Sequence, residues 1–123
     1  MHELTVAIQI RQSLETELAT EDRILVADVV RVQVGALSGI VPEALQFAWP
    51  HAVSDSVALG SARLDIDWID VQLHCASCSD TYTLTEFRSL RCPHCRSPDV
   101  EIVAGDELDI ASVDIGERPR DPT

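Results

Sequence analysis

The chain reads as an α+β protein in which a small antiparallel sheet carries two helices and a four-cysteine module is inserted between strands. Three observations predict this class. The sequence opens with an amphipathic segment, period-two runs rich in valine and isoleucine follow, and two close cysteine pairs interrupt the last of these runs.

From Glu3 to about Thr20, Leu4, Ala7, Ile8, Leu14 and Leu18 recur at spacings that share one helical face, with Gln9, Arg11, Gln12, Glu15 and Glu17 mostly opposite. Within residues 24–35, Val30, Val32 and Val34 alternate with Arg31 and Gln33, the period of a half-buried strand. A "GALSG" loop leads to "IVPEALQF", where Pro42 suits a first helical turn and Ala44, Leu45, Phe47 and Ala48 give a short second helix. Pro50 is expected to kink or end that helix, because an interior proline lacks the amide donor and clashes with the preceding turn. A second strand is expected over residues 62–73. Its parity shifts from Leu64, Ile66 and Trp68 to Ile69, Val71 and Leu73, which suggests a bulge. Residues 100–103 and 108–115 read as two strands, or as one interrupted at "AGDE". The plan assigns residues 1–73 and 98–117 to the α+β unit, 74–97 to the cysteine module and 118–123 to a frayed tail.

Composition narrows the function. Apolar residues make up 46% of the chain and charged ones 24%, a folded globular profile, and with only 4% aromatic residues the core is aliphatic. The 21 acidic side chains outnumber 9 basic ones for a formal charge of -12, so phosphate backbones are repelled and no nucleic-acid partner is expected. There is no apolar run long enough for a membrane span and no secretory n-region with its apolar stretch, so a cytoplasmic, membrane-free protein is expected. No serine–histidine–acid set, phosphate-binding glycine loop or catalytic carboxylate pair can be argued, which points away from an enzyme.

"CASC" at Cys75 and Cys78 and "CPHC" at Cys92 and Cys95 stand 13 residues apart. Each tight turn aims two sulfurs at one point, and two facing turns complete a tetrahedron of the kind zinc prefers, with Zn–S near ~2.3 Å. A shell of four thiolates leaves no position for water, so structural Zn(II) is the expected occupant. Rubredoxin-like iron and a dithiol redox pair are the rivals. The second is disfavoured because neither pair opens a helix in strand-helix sequence. A zinc-ribbon adaptor that binds protein or nucleic acid is the alternative in another functional class. Between Cys75 and Cys95, however, the basic residues are only Arg88 and Arg91, plus His94. His74, His94 and His51 are simplest as surface residues.

The other candidate metal ligand is His2. Histidine is too bulky for ordinary methionine removal, so Met1 is expected to remain. Its amine, the His2 backbone nitrogen and the His2 imidazole can then form fused chelate rings, with the Glu3 backbone nitrogen as a fourth donor. Four nitrogens in a plane suit Ni(II) or Cu(II) rather than zinc. On the residues alone, a histidine in second position is far more often an ordinary terminal residue, and Glu3 a carboxylate placed for the dipole of its own helix.

The sequence as a whole resembles the HypA/HybF family of nickel chaperones for hydrogenase maturation. The resemblance is carried by the opening "MHEL", the central "VQVGALSGIVPEALQFA", "CASC" and "CPHC", and the following "SPDVEIVAGDEL". It implies a nickel site at His2 with the Met1 amine and Glu3 backbone, and structural zinc on Cys75, Cys78, Cys92 and Cys95. It further implies Ni(II) as transient cargo, delivery to the large subunit of a [NiFe]-hydrogenase or its maturation complex, and a HypB-like GTPase as partner; some relatives also serve urease. This chain departs from the pattern at Pro50, in lacking a "CxxCH" histidine, and at Ile40, Val41 and Pro42, which offer no carboxylate near the second helix. Glu43 is the nearest one there.

Overall fold

The computed structural model describes residues 3–20, 22, 24–85 and 90–116. Helix α1 spans Glu3–Leu18 and buries Val6, Ala7, Ile10, Leu14 and Leu18 along one stripe. Leu4 and Ile8, expected on that stripe, are instead 47% and 38% exposed. The first turns carry apolar residues on more than one side, so spacing admits two stripes and packing against the second helix selects one.

Strand β1, Val26–Gly35, alternates as expected and buries Ala27, Val30, Val32 and Val34. The "GALSG" loop holds a 3-10 turn at Ala36–Ser38, closed by Gly39 in the left-handed region at φ 79°. Helix α2, Pro42–Val53, starts at its proline as predicted but does not end at Pro50. Trp49, Ala52 and Val53 are buried around and beyond it. Their burial outweighs a local cost on the order of 3 kcal/mol for a proline inside a helix.

The stretch expected as one bulged strand is two strands in two sheets: β2, Arg63–Ile69, and β3, Val71–Cys75, parted at Asp70. The parity change marks the point where the chain leaves one sheet for the other. Strand β4, Asp80–Leu84, lies between the cysteine pairs and was not foreseen. Strands β5, Val100–Ala104, and β6, Leu108–Gly116, are separate.

Two three-stranded sheets result, ordered β2-β1-β6 and β4-β3-β5. The α+β class with two helices and small sheets stands, and antiparallel pairing holds for β1–β6, β3–β4 and β3–β5. Strand β2 runs parallel to β1, because α2 carries the chain back before β2 begins. The larger core joins α1, α2, β1 and β2; Val71, Leu73 and Leu84 form a second one, against which Ala36, Leu37 and Val100 pack.

Backbone joins the sheets. The Gly35 amide donates to the Glu107 carbonyl and the Leu37 amide to the Gly105 carbonyl, each at 2.7 Å. Gly105 has φ 111°, and a Cβ there would stand 2.7 Å from the Val71 Cα, so only glycine fits.

Candidate metal centre

The four cysteines are brought together by β3, the two turns that carry the pairs, and the chain returning to β5. Cys75 ends β3, and the turn after it brings Cys78 back over it, its amide donating to Cys75 Sγ at 3.4 Å. In the second turn the amides of His94 and Cys95 both donate to Cys92 Sγ at 3.4 Å. The residue after each pair, Ser79 at φ 54° and Arg96 at φ 62°, is left-handed without being glycine. Each turn is thus closed by the same backbone reversal, and Arg96 N donates to Cys92 O at 2.9 Å.

All four sulfurs lie within 4.8 Å of one another. Across the turns, the sulfurs of Cys75 and Cys95 stand 3.6 Å apart and those of Cys78 and Cys92 3.8 Å. Disulfides need ~2.05 Å. A regular tetrahedron with Zn–S near 2.3 Å has edges of about 3.8 Å, so the donor set and its dimensions fit a four-thiolate zinc ion. Three amides aimed at sulfur compensate thiolate charge, as such a site requires.

Cys75 and Cys92 are buried, Cys78 is half-buried and Cys95 is exposed. Burial alone raises the Cys92 thiol, yet the amides of Cys95 and His94 favour its thiolate and bring it down to about 6. Cys78 moves the other way, to about 12, first through its hydrogen bond with Cys95 and then through burial.

Sequence reasoning missed Tyr82. Its side chain hydrogen-bonds Cys78, which with burial pushes the phenol up to about 12, and its ring stacks on His94 with centroids 6.1 Å apart. The only available signal was the alternation of β4, too short to recognise. His74 is paired with the Thr81 hydroxyl at 3.1 Å and His51 lies 5.3 Å from the Phe47 ring, so none of the three histidines joins the sulfurs.

Met1 and His2 lie outside the described residues, and with them the predicted amine, imidazole and His2 backbone donors. Glu3 is described: it opens α1, and its carboxylate accepts the Val41 amide at 3.2 Å. The carboxylate at the entry of α2 therefore comes from Glu3. Glu43 stays exposed in the first turn.

A sequence model of the family described as "Hydrogenase/urease nickel incorporation, metallochaperone, hypA" matches residues 1–115. The chain belongs to the HypA family. It is 34% identical over 117 residues to the hydrogenase maturation factor HypA of Chlorobium luteolum, covering 95% of this chain and 97% of the relative. With the HypA of Methylocella silvestris it shares 36% over 115 residues, covering 94% and 99%. The solution structure of the Ni metallochaperone HypA from Helicobacter pylori matches it with a TM-score of 0.62 at 26% identity, covering 94% of this chain and 97% of that one. Membership of HypA, a metallochaperone family, disfavours the zinc-ribbon adaptor alternative. Among the described residues, no helix is long and apolar enough to cross a membrane.

Proposed function

We propose that this chain is a non-enzymatic nickel carrier of the cytoplasm that supplies Ni(II) for maturation of a [NiFe]-hydrogenase. The HypA match across residues 1–115, which takes in both the N-terminus and all four cysteines, carries the reading. Ni(II) is the cargo, held by His2 with the Met1 amine and the Glu3 backbone nitrogen. Four nitrogen donors at a chain end bind a planar ion and surrender it by losing one chelate arm. The receiving partner is the hydrogenase large subunit or its maturation complex, and a HypB-like GTPase works with the carrier.

Cys75, Cys78, Cys92 and Cys95 hold zinc, which when bound supplies cross-linking energy and no open coordination position. The chain's own groups arrange that site: amides steady Cys75 and Cys92, and Tyr82 meets Cys78. Residues 1–73 with 98–117 serve the cargo and 74–97 the structural metal.

Extending the chain by one residue before Met1 tests the reading, because it moves the amine out of its chelate ring. Nickel titration of the untagged and extended proteins should show binding lost in the second while zinc content is unchanged. Equal nickel binding by both refutes it. The amine and imidazole must each be unprotonated to bind, so nickel binding weakens as pH falls and acid releases the metal.

A further inference from the structure

We propose that Tyr82 and His94 form a latch over the sulfur cluster: their stacked rings fasten the second cysteine turn to β4 and slow the exchange of zinc through Cys78. Both are positioning residues, because the four sulfurs are the donors. This rests on the zinc reading above.

Side chains alternate along β3 and β4, so residues opposite one another in the pair share a side of the sheet. Leu73 stands opposite Tyr82, Val71 opposite Leu84 and Cys75 opposite Asp80. Val71, Leu73, Cys75 and Leu84 are all buried, which makes this the inner side and places half-buried Tyr82 one step nearer the sulfurs than Leu84. The ladder to β3 holds it there. From this position the phenol reaches Cys78, and the ring lies at 15° to that of His94 with centroids 6.1 Å apart, within the range of an offset stack. The second turn, by contrast, is closed on itself: Arg96 N donates to Cys92 O at 2.9 Å, Cys92 N to Ser97 O at 3.0 Å, and the amides of His94 and Cys95 to Cys92 Sγ. His94 carries that turn across to β4. Exposure then sets the order in which a competing ligand reaches the donors, for Cys75 and Cys92 are buried, Cys95 is exposed and Cys78 is half-buried. A chelator that displaces Cys95 must next free a second sulfur, and the accessible one is Cys78, beside Tyr82. Opening of the stack is then the slow step, a role of the kind that groups behind metal ligands commonly play.

The test is transfer of zinc from the loaded protein to a colorimetric chelator, compared for native, Y82A, Y82F, H94A, H94F and the Y82A/H94A double variant. Iodoacetamide alkylation of each cysteine is mapped by mass spectrometry alongside, and helical circular dichroism controls for the fold. Y82A and H94A should each speed transfer about three- to tenfold, the worth of one aromatic pair, and the double variant should be no faster than the faster single one. Y82F and H94F keep both rings and should transfer zinc at close to the native rate. Cys78 should alkylate faster in H94A while Cys95, already exposed, stays as it was; general loosening of the turn would raise both. Any of four results overturns the latch: H94A equal to native, effects that multiply in the double variant, Y82F as fast as Y82A, or Cys78 and Cys95 rising together. A native protein that takes up no zinc brings down the zinc reading instead, and slower alkylation of Cys78 in metal-free native protein than in metal-free H94A still reports on the latch itself.

Discussion

One guanidinium gathers the outer seam between the helices. Arg11 donates to Glu15 at 2.9 Å, to the Ala52 carbonyl near the end of α2 at 2.7 Å, and to Asp55 at 2.5 Å. The buried Ser56 donates to the second oxygen of Glu15 at 2.8 Å and accepts the Leu59 amide at 3.2 Å. The Arg11 hydrogen bond, aided by Ser56 and opposed by burial, holds Glu15 below its usual 4.5, and Arg11 lowers Asp55 likewise. A carboxylate whose folded pKa is depressed stabilises the fold above its unfolded value, and that contribution fades as pH falls through the lower folded value. Ser56→Ala should therefore cost about 1–2 kcal/mol at neutral pH by orphaning the Leu59 amide and one Glu15 oxygen. The difference from native, read by urea unfolding, should shrink on acidification below 4.5 as the Glu15 part is lost. A cost that grows in acid would contradict this account.

Among the elements, the joint between the sheets is the tightest place. A Cβ on Gly35 would overlap the Gly105 carbonyl and stand 2.7 Å from Asp106 N, all backbone, with no flexible side chain to yield. Gly39 adopts a φ of 79° that would strain any side chain, but it faces open space. Gly35→Ala should cost about 3 kcal/mol through overpacking, and Gly39→Ala about 1 kcal/mol through backbone strain alone; equal losses in denaturant unfolding would show that the joint gives way. This joint was not legible in the sequence, though the elements around it were. Helix α1, strand β1 and the start of α2 follow from period and from Pro42. The sheet change at Asp70 leaves the same parity signature as a bulge, because both reverse which side chains face inward. The continuation of α2 through Pro50 depends on what Ala52 and Val53 bury, which is tertiary. The cysteine cluster was legible because its spacing is itself the geometric constraint. Tyr82 behind Cys78, and Glu3 on Val41 across 38 residues, have no counterpart in local pattern.

At the scale of the whole molecule, two cores of unequal size must be kept folded. The main one runs through both helices and the larger sheet, whereas among the described residues the second buries Val71, Leu73 and Leu84, and the two share no buried residue. Three aliphatic side chains make a small core for a three-stranded sheet. On the zinc reading proposed above, metal bound by the four sulfurs adds its binding free energy to the folding of this smaller sheet. Removing it with a chelator under reducing conditions should therefore expose the amides of β3, β4 and β5 to exchange while those of α1 and α2 stay protected and the helical circular dichroism persists. The strands of the smaller sheet should loosen first at the knuckle end, where Cys75 and Val100 pair, and last beside Gly105, where the backbone bonds to Gly35 and Leu37 tie it to the main body. Loss of protection in α1 in step with β3 would mean that the metal holds the whole chain through that joint, and Gly35 would then be the place to cut the coupling.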